Sequence, residues 1–108
     1  MGRYSSKVYS LLAATLLSCA SVEADEHVVG QLNKAFSTDH LTIKVGDVVK
    51  FENNDAFYHN VFSLSDTKFF DLGSYPQGES RDVVFDKPGE VDVECAIHPG
   101  MRMTIKVQ

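Results

Sequence analysis

The chain has 108 residues, of which 44% are hydrophobic, with 10 basic and 15 acidic residues and a net charge of −5. This length accommodates one domain and excludes a second, and the composition is that of a globular protein rather than a disordered or collagen-like one. The acidic balance argues against nucleic-acid binding, which needs a cationic face, and two cysteines are too few for a disulfide-dense miniprotein.

Residues 1–24 predict a secretory signal peptide. Arg3 and Lys7 supply the positive charge of its first segment, and residues 8–20 form a mostly apolar run that is too short to span a bilayer. Small residues occupy the two positions that a signal peptidase reads, which places the expected cleavage after Ala24.

Two other fates of this segment stay open. If it is not cleaved, the segment is an N-terminal membrane anchor. If the residues around Cys19 form a bacterial lipobox, Cys19 is acylated, although Leu17 fits that pattern poorly. Cleavage would leave a mature domain of residues 25–108 without a membrane segment, with 8 basic and 14 acidic residues and one cysteine, Cys95. An unpaired thiol is a liability in an oxidising compartment, so we expect a metal ion to occupy it.

Alternation of apolar and polar residues predicts short strands over residues 40–45, 48–53, 59–64, 82–85, 90–95 and 103–107. The Gly46-Asp47 turn between the first two predicts a hairpin, and Gly73, Pro76 and Gly78 predict a looser connection. No helical periodicity of useful length follows residue 24, and roughly seven strands at this spacing indicate a β-sandwich. The predicted core includes Phe36, Phe62, Phe69, Phe70 and Phe85.

The stretch from Cys95 to Met101 carries the chemistry. It places a thiolate, the imidazole of His98 and a thioether within seven residues on one loop, and a second imidazole, His59, lies 36 residues before Cys95 at the start of another predicted strand. Two His and one Cys in a plane with a weak axial Met form the ligand set of a type 1 copper site. This mixed set suits both Cu(I) and Cu(II), so the candidate copper ligands are His59, Cys95, His98 and Met101.

These residues resemble the cupredoxins, the small blue copper proteins of the plastocyanin and amicyanin type. Residues 51–55 with Tyr58-His59-Asn60-Val61 are similar to the first-ligand segment of that family, and residues 85–89 to the hairpin before its ligand loop. The Cys-x-x-His-Pro-x-Met spacing is especially similar to the amicyanin loop. The resemblance implies a Greek-key β-sandwich of about seven or eight strands, with one copper ion at one end.

The resemblance also implies a function and further residue roles. The protein would be a non-enzymatic carrier of single electrons in the periplasm, and His98 would be the partly exposed ligand through which electrons pass. Asn60 would tie the ligand loop by hydrogen bonding. Residues 67–78 lack the acidic strip that plant plastocyanins use for docking, so the resemblance does not identify the partner.

Met103 is the alternative axial ligand. It is in phase with Ile105 and Val107, which favours a core position in the last strand. Met101 leaves seven residues after the ligand, as the last strand of the family requires, whereas Met103 leaves five. We therefore favour Met101.

Three functions share these side chains. The first is an electron carrier whose partner is a cytochrome or oxidoreductase, and the second is a periplasmic protein that handles Cu(I) and confers copper tolerance. The third is a structural zinc module, although zinc gains little from a thioether. We expect a monomer. We also expect no enzyme activity, because a multicopper oxidase needs further His clusters and the chain has only His27 and His40 left over.

Cleavage after Ala24 would create a second candidate copper site. The new N-terminus would read Asp25-Glu26-His27, and a free amine with His at the third position binds Cu(II) or Ni(II) in a square plane through four nitrogens. Acylation of Cys19 would remove this site.

Overall fold

A computed structural model describes residues 23–108 of the chain. This part of the chain forms nine strands: β1 (Glu26–Leu32), β2 (Ala35–Phe36), β3 (His40–Ile43), β4 (Val48–Asn53), β5 (His59–Ser65), β6 (Lys68–Tyr75), β7 (Ser80–Val84), β8 (Gly89–Cys95) and β9 (Arg102–Val107). Residues 23–108 include no helix with the length and apolar character needed to cross a membrane. Residues 1–22 of the predicted signal peptide (residues 1–24), including Cys19, lie outside the described part of the chain, so cleavage and acylation remain predictions.

The strands form two sheets that pack face to face. One sheet has the order β2-β1-β4-β7 and the other the order β3-β9-β8-β5-β6. Each sheet contains one parallel pair, β1 with β4 and β3 with β9, while the remaining pairs are antiparallel. The predicted all-β sandwich is confirmed, and its strand count is nine because β1, the short β2 and β6 add to the strands that the alternation indicated.

The two predicted hairpins are wrong. β3 and β4 lie in different sheets, so the Gly46-Asp47 turn carries the chain from one sheet to the other. Residues 85–88 make the same kind of crossing between β7 and β8. Turn residues encode a local change of direction, but the choice of sheet depends on which partner strand covers the apolar face, and that partner is distant in sequence.

The segment predicted as a looser connection contains a strand. β6 extends to Tyr75 and includes Gly73, whose φ of 71° is in the left-handed region. Two residues of β6, Leu72 and Gly73, lie opposite one residue of β5, Val61, in a β-bulge. Glycine favours this conformation because it has no Cβ, and it therefore marks an irregular strand here rather than a loop.

The core lies between the sheets and is built from alternating inward-facing side chains. Phe36, Phe70 and Phe85 are buried as predicted. Phe69 is 69% exposed, so its assignment to the core is wrong, and Phe62 is only partly buried. Phe69 directly precedes Phe70 in β6, and consecutive strand residues point to opposite faces of a sheet.

Asp47 joins the beginning of β1 to the crossing between β3 and β4. Its buried carboxylate accepts hydrogen bonds from the Lys44 backbone N–H at 2.9 Å, the Asp25 backbone N–H at 3.0 Å and Nε2–H of His27 at 3.0 Å. The bond from Lys44 and then those from His27 and Asp25 hold the pKa of Asp47 well below its usual range. The ionised carboxylate therefore stabilises the fold.

We expect Asp47→Asn to lower the melting temperature at pH 7, because an amide accepts fewer hydrogen bonds and carries no charge. The pKa of Asp47 is lower in the folded than in the unfolded chain, so its stabilisation is complete above the unfolded value of about 3.9 and declines at lower pH. Thermal melts from pH 7 to pH 2 should show wild type and variant converging below about pH 4.

Asp39 provides the control, since it is exposed and directly precedes β3. Asp39→Asn should leave the melting temperature nearly unchanged across the same pH series. A constant gap between wild type and Asp47→Asn down to pH 2 would contradict the assigned role of the Asp47 carboxylate.

Candidate metal centre

His59 and Cys95 lie on neighbouring strands. His59 is the first residue of β5 and Cys95 is the last residue of β8, and the antiparallel pairing of these strands sets Val61 opposite Cys95. Both side chains face inward, with 0% exposure for His59 and 4% for Cys95. Strand pairing therefore brings an imidazole and a thiol to the same end of the core.

The loop between β8 and β9 brings His98 back towards Cys95. The Met101 backbone N–H donates to the His98 carbonyl at 3.0 Å, and the Cys95 N–H donates to the Met101 carbonyl at 3.2 Å. Gly100 has a φ of 95°, which an L side chain rarely adopts, and this residue turns the chain into β9. The loop is thus closed by its own backbone.

Three donor atoms face one another at this end of the sandwich. Nδ1 of His59 lies 3.6 Å from Sγ of Cys95, Nδ1 of His98 lies 3.5 Å from the same sulfur, and the two nitrogens are 3.1 Å apart. The point equidistant from the three atoms is about 2.0 Å from each, close to the bond lengths of imidazole nitrogen and thiolate sulfur to a first-row metal ion. The three side chains therefore fit one metal ion between them.

The two methionines occupy different positions. Met101 ends the ligand loop and is 4% exposed, directly before β9. Met103 is 3% exposed and pairs with Val93 of β8 inside the core, in phase with Ile105 and Val107 as predicted. A sulfur and two imidazoles, with a thioether on the same loop, form a donor set typical of copper.

Phe57 packs against both imidazoles. Its ring centroid lies 5.4 Å from that of His59 and 5.3 Å from that of His98, in edge-to-face contacts. His59 is fully buried, whereas His98 is partly exposed at the edge of the site. Burial is the main cause that lowers the pKa of His98, and the neighbouring His59 and Lys34 lower it further, which favours the neutral imidazole that binds metals.

Asp55 contacts the far side of the His59 ring, and sequence reasoning missed this role. Its Oδ2 lies 2.6 Å from Nε2 of His59, and both side chains are buried. Burial alone would raise the pKa of Asp55, but the hydrogen bonds from His59, Lys34 and Asn33 outweigh it and lower that pKa. The resemblance covers Asp55 only as part of residues 51–55 and gives it no role, and the available signal was a carboxylate four residues before a candidate ligand.

Asn60 contacts the ligand loop through its backbone. Its N–H points at Sγ of Cys95 at 3.5 Å, and its carbonyl accepts from the Ala96 N–H at 3.2 Å. The expected link between the residue after His59 and the ligand loop is therefore present as backbone hydrogen bonds. The Asn60 N–H is aimed at the lone pairs of the sulfur and helps to orient it.

The two remaining histidines lie elsewhere. His27 is in β1, bonded to Asp47, and His40 begins β3 at the surface. Within residues 23–108, His59, Cys95 and His98 are the one group of three or more His, Cys or acidic side chains close enough to share a metal ion. The second copper site at the cleaved N-terminus remains a prediction, and in the structure Nε2 of His27 is hydrogen-bonded to Asp47.

Comparison with known proteins gives consistent matches. A family model described as copper binding proteins, plastocyanin/azurin family, matches residues 24–108. The methylamine utilization protein MauL of Methylorubrum extorquens is 33% identical over 98 residues, which cover 89% of this chain and 86% of that protein. An oxidised amicyanin mutant superposes with a TM-score of 0.71 at 26% identity, covering 76% of this chain and 81% of amicyanin.

A larger enzyme contains a similar unit. The copper-containing nitrite reductase of Thermus scotoductus SA-01 superposes with a TM-score of 0.72 at 29% identity. The match covers 77% of this chain but 22% of the nitrite reductase, so this chain corresponds to about a fifth of that enzyme.

The backbone of the ligand loop yields a stability prediction. We expect Gly100→Ala to lower the free energy of unfolding of the copper-free protein by about 1 kcal/mol, because alanine is strained at positive φ. Gly100→Asn should cost less, since asparagine tolerates this region. Urea unfolding of the three copper-free proteins measures both effects, and an alanine variant as stable as wild type would contradict the assigned loop conformation.

Proposed function

The chain belongs to the plastocyanin/azurin family of copper binding proteins, and from this premise we propose that it carries single electrons between redox proteins of the periplasm. The copper ligands would be His59, Cys95, His98 and Met101. The observation that carries the proposal is the triangle of two imidazole nitrogens and one sulfur, with sides of 3.1 to 3.6 Å, at one end of a β-sandwich.

Each donor type has a part in this function. Copper supplies a reversible one-electron change between Cu(I) and Cu(II) when it is bound. The thiolate of Cys95 and the thioether of Met101 suit Cu(I), and the imidazoles suit both oxidation states. The backbone bonds that close the ligand loop and link it to Asn60 hold these donors in one arrangement, which favours electron transfer with little rearrangement.

His98 is the proposed route for the electron. It is partly exposed, and the exposed side chains of Phe57 (40%), Tyr58 (55%) and Ile97 (52%) neighbour the two imidazole ligands in sequence. Exposed apolar side chains around His98 would let a partner exclude water from its imidazole ring. The mature chain would carry 8 basic and 14 acidic residues, so its surface would attract a cationic redox partner.

We propose a carrier rather than an enzyme. Four protein ligands leave no open position for a substrate, and the described residues provide one metal cluster where a multicopper enzyme needs several. Export to the periplasm rests on the predicted signal peptide over residues 1–24.

The visible spectrum tests the ligand set. Loading the mature protein with Cu(II) should give intense thiolate-to-copper charge transfer, and Cys95→Ser should abolish it because serine provides no thiolate. Met101→Leu should alter the spectrum far more than Met103→Leu, since Met103 is a residue of β9 buried in the hydrophobic core. Equal spectral changes in the two methionine variants would contradict the choice of Met101, and a colourless wild type would contradict the copper site itself.

The rate of electron exchange tests the carrier role. Stopped-flow reduction by a basic c-type cytochrome should be fast at low ionic strength and should slow as salt screens the anionic surface. Chemical reduction by ascorbate, a small molecule, serves as the control and should depend less on salt. Failure to exchange electrons with redox proteins, combined with copper sensitivity on deletion of the gene, would instead support the copper-tolerance function.

A further inference from the structure

The His59 ring has a polar contact on each of its two nitrogens. Nδ1 faces Cys95 and His98, and Nε2 lies 2.6 Å from Oδ2 of Asp55. His59 is 0% exposed and Asp55 is 5% exposed, so the contact is shielded from water. A carboxylate accepts but does not donate, so Nε2 carries the proton and the lone pair of Nδ1 is left for a metal.

Asp55 is held in place by the turn between β1 and β2, which belong to the sheet that faces the sheet of His59. Its Oδ1 accepts from the Asn33 N–H at 2.7 Å, and its Oδ2 accepts from the Lys34 N–H at 3.1 Å. Asn33 and Lys34 form the two-residue turn between β1 and β2, with φ values of 56° and 59°. This turn conformation suits a tight hairpin, and it directs both amides at one carboxylate.

The neighbouring side chain also fixes the Asp55 backbone. The Asp55 N–H donates to Oδ1 of Asn53 at 2.8 Å. The side-chain nitrogen of Asn53, Nδ2, in turn donates to the Phe57 carbonyl at 2.8 Å and to the Tyr75 carbonyl at 2.9 Å. Asp55 therefore has hydrogen bonds on its backbone and on both carboxylate oxygens, and it cannot turn away from His59 without breaking several of them.

We propose that Asp55 is the positioning residue of His59 and that its negative charge shifts the copper site towards Cu(II), which lowers the reduction potential. The inference rests on the proposed function, because it assumes that His59 binds copper. A buried negative charge on the far side of a ligand ring stabilises Cu(II) more strongly than Cu(I), because Cu(II) carries the larger positive charge. The low local dielectric screens this attraction between the carboxylate and the ion only weakly. The hydrogen bond also makes the imidazole a stronger donor.

Two variants separate the charge from the hydrogen bond. Asp55→Asn keeps an oxygen that can accept from Nε2–H of His59 but removes the charge, and Asp55→Ala removes both. We expect Asp55→Asn to raise the affinity for Cu(I) relative to Cu(II) by about tenfold, the lower end of the range for residues that support a ligand. That change corresponds to a rise of about 59 mV in the one-electron potential, measurable by voltammetry.

The copper-free protein provides an independent readout. Nitrogen-15 NMR should show the proton of His59 on Nε2 in wild type and in Asp55→Asn, and a mixture of tautomers in Asp55→Ala. Glu94→Gln is the matched charge control, because Glu94 directly precedes Cys95 and its side chain is 34% exposed, beside Arg102. Solvent screening should leave the potential of that variant close to wild type.

The outcomes distinguish this inference from the proposed function. If wild type shows the Cys95-dependent copper band but Asp55→Asn leaves the potential unchanged, the inference is wrong and the electron carrier stands. An equal shift in Glu94→Gln would also overturn it, because the effect would then be one of net charge. If wild type binds no copper, the proposed function fails, and the tautomer measurement still decides whether Asp55 positions His59.

Discussion

The pairing of β5 with β8 brings two residues 36 positions apart, His59 and Cys95, within 3.6 Å of each other. Both side chains are inside the core, where strand register determines their positions. His98 then needs only a short loop to complete the triangle. Two of the three donors are therefore placed by the sheet itself, and only His98 depends on the loop for its position.

A polar network beneath the site connects the two sheets. Tyr75 lies opposite His59 in the β5–β6 pair, and its hydroxyl accepts from Nε2 of Gln31 at 2.7 Å and donates to the Phe51 carbonyl at 3.2 Å. Burial raises the pKa of Tyr75 to about 12, so the hydroxyl stays protonated. Together with Asn53, these groups tie β6, the strand paired with β5, to β1 and β4 in the facing sheet. Buried polar groups are costly when they lack partners, and these bonds limit that cost while fixing how the sheets stack.

The predictions that succeeded concern residues whose environment is set by their near neighbours. Inward phases of Cys95 and Met103 followed from the alternation of their own strands. The hairpin predictions failed because they concern partner strands: the Gly46-Asp47 turn gave no information about which sheet receives the next strand. Gly73 was interpreted as a loop residue because a bulge within a strand and a turn between strands use the same left-handed glycine.

The amino-acid sequence alone determined the all-β class, the type of metal site and the identity of its candidate donors, because alternation and ligand spacing are local properties of the chain. Tertiary structure alone decided that β3 and β4, like β7 and β8, lie in opposite sheets and that His59 contacts Asp55. It also decided that the turn at Asn33 and Lys34, more than twenty residues away, holds that carboxylate. These contacts depend on how two sheets stack, and stacking is set by the sum of many distant side-chain contacts that no short stretch of sequence encodes.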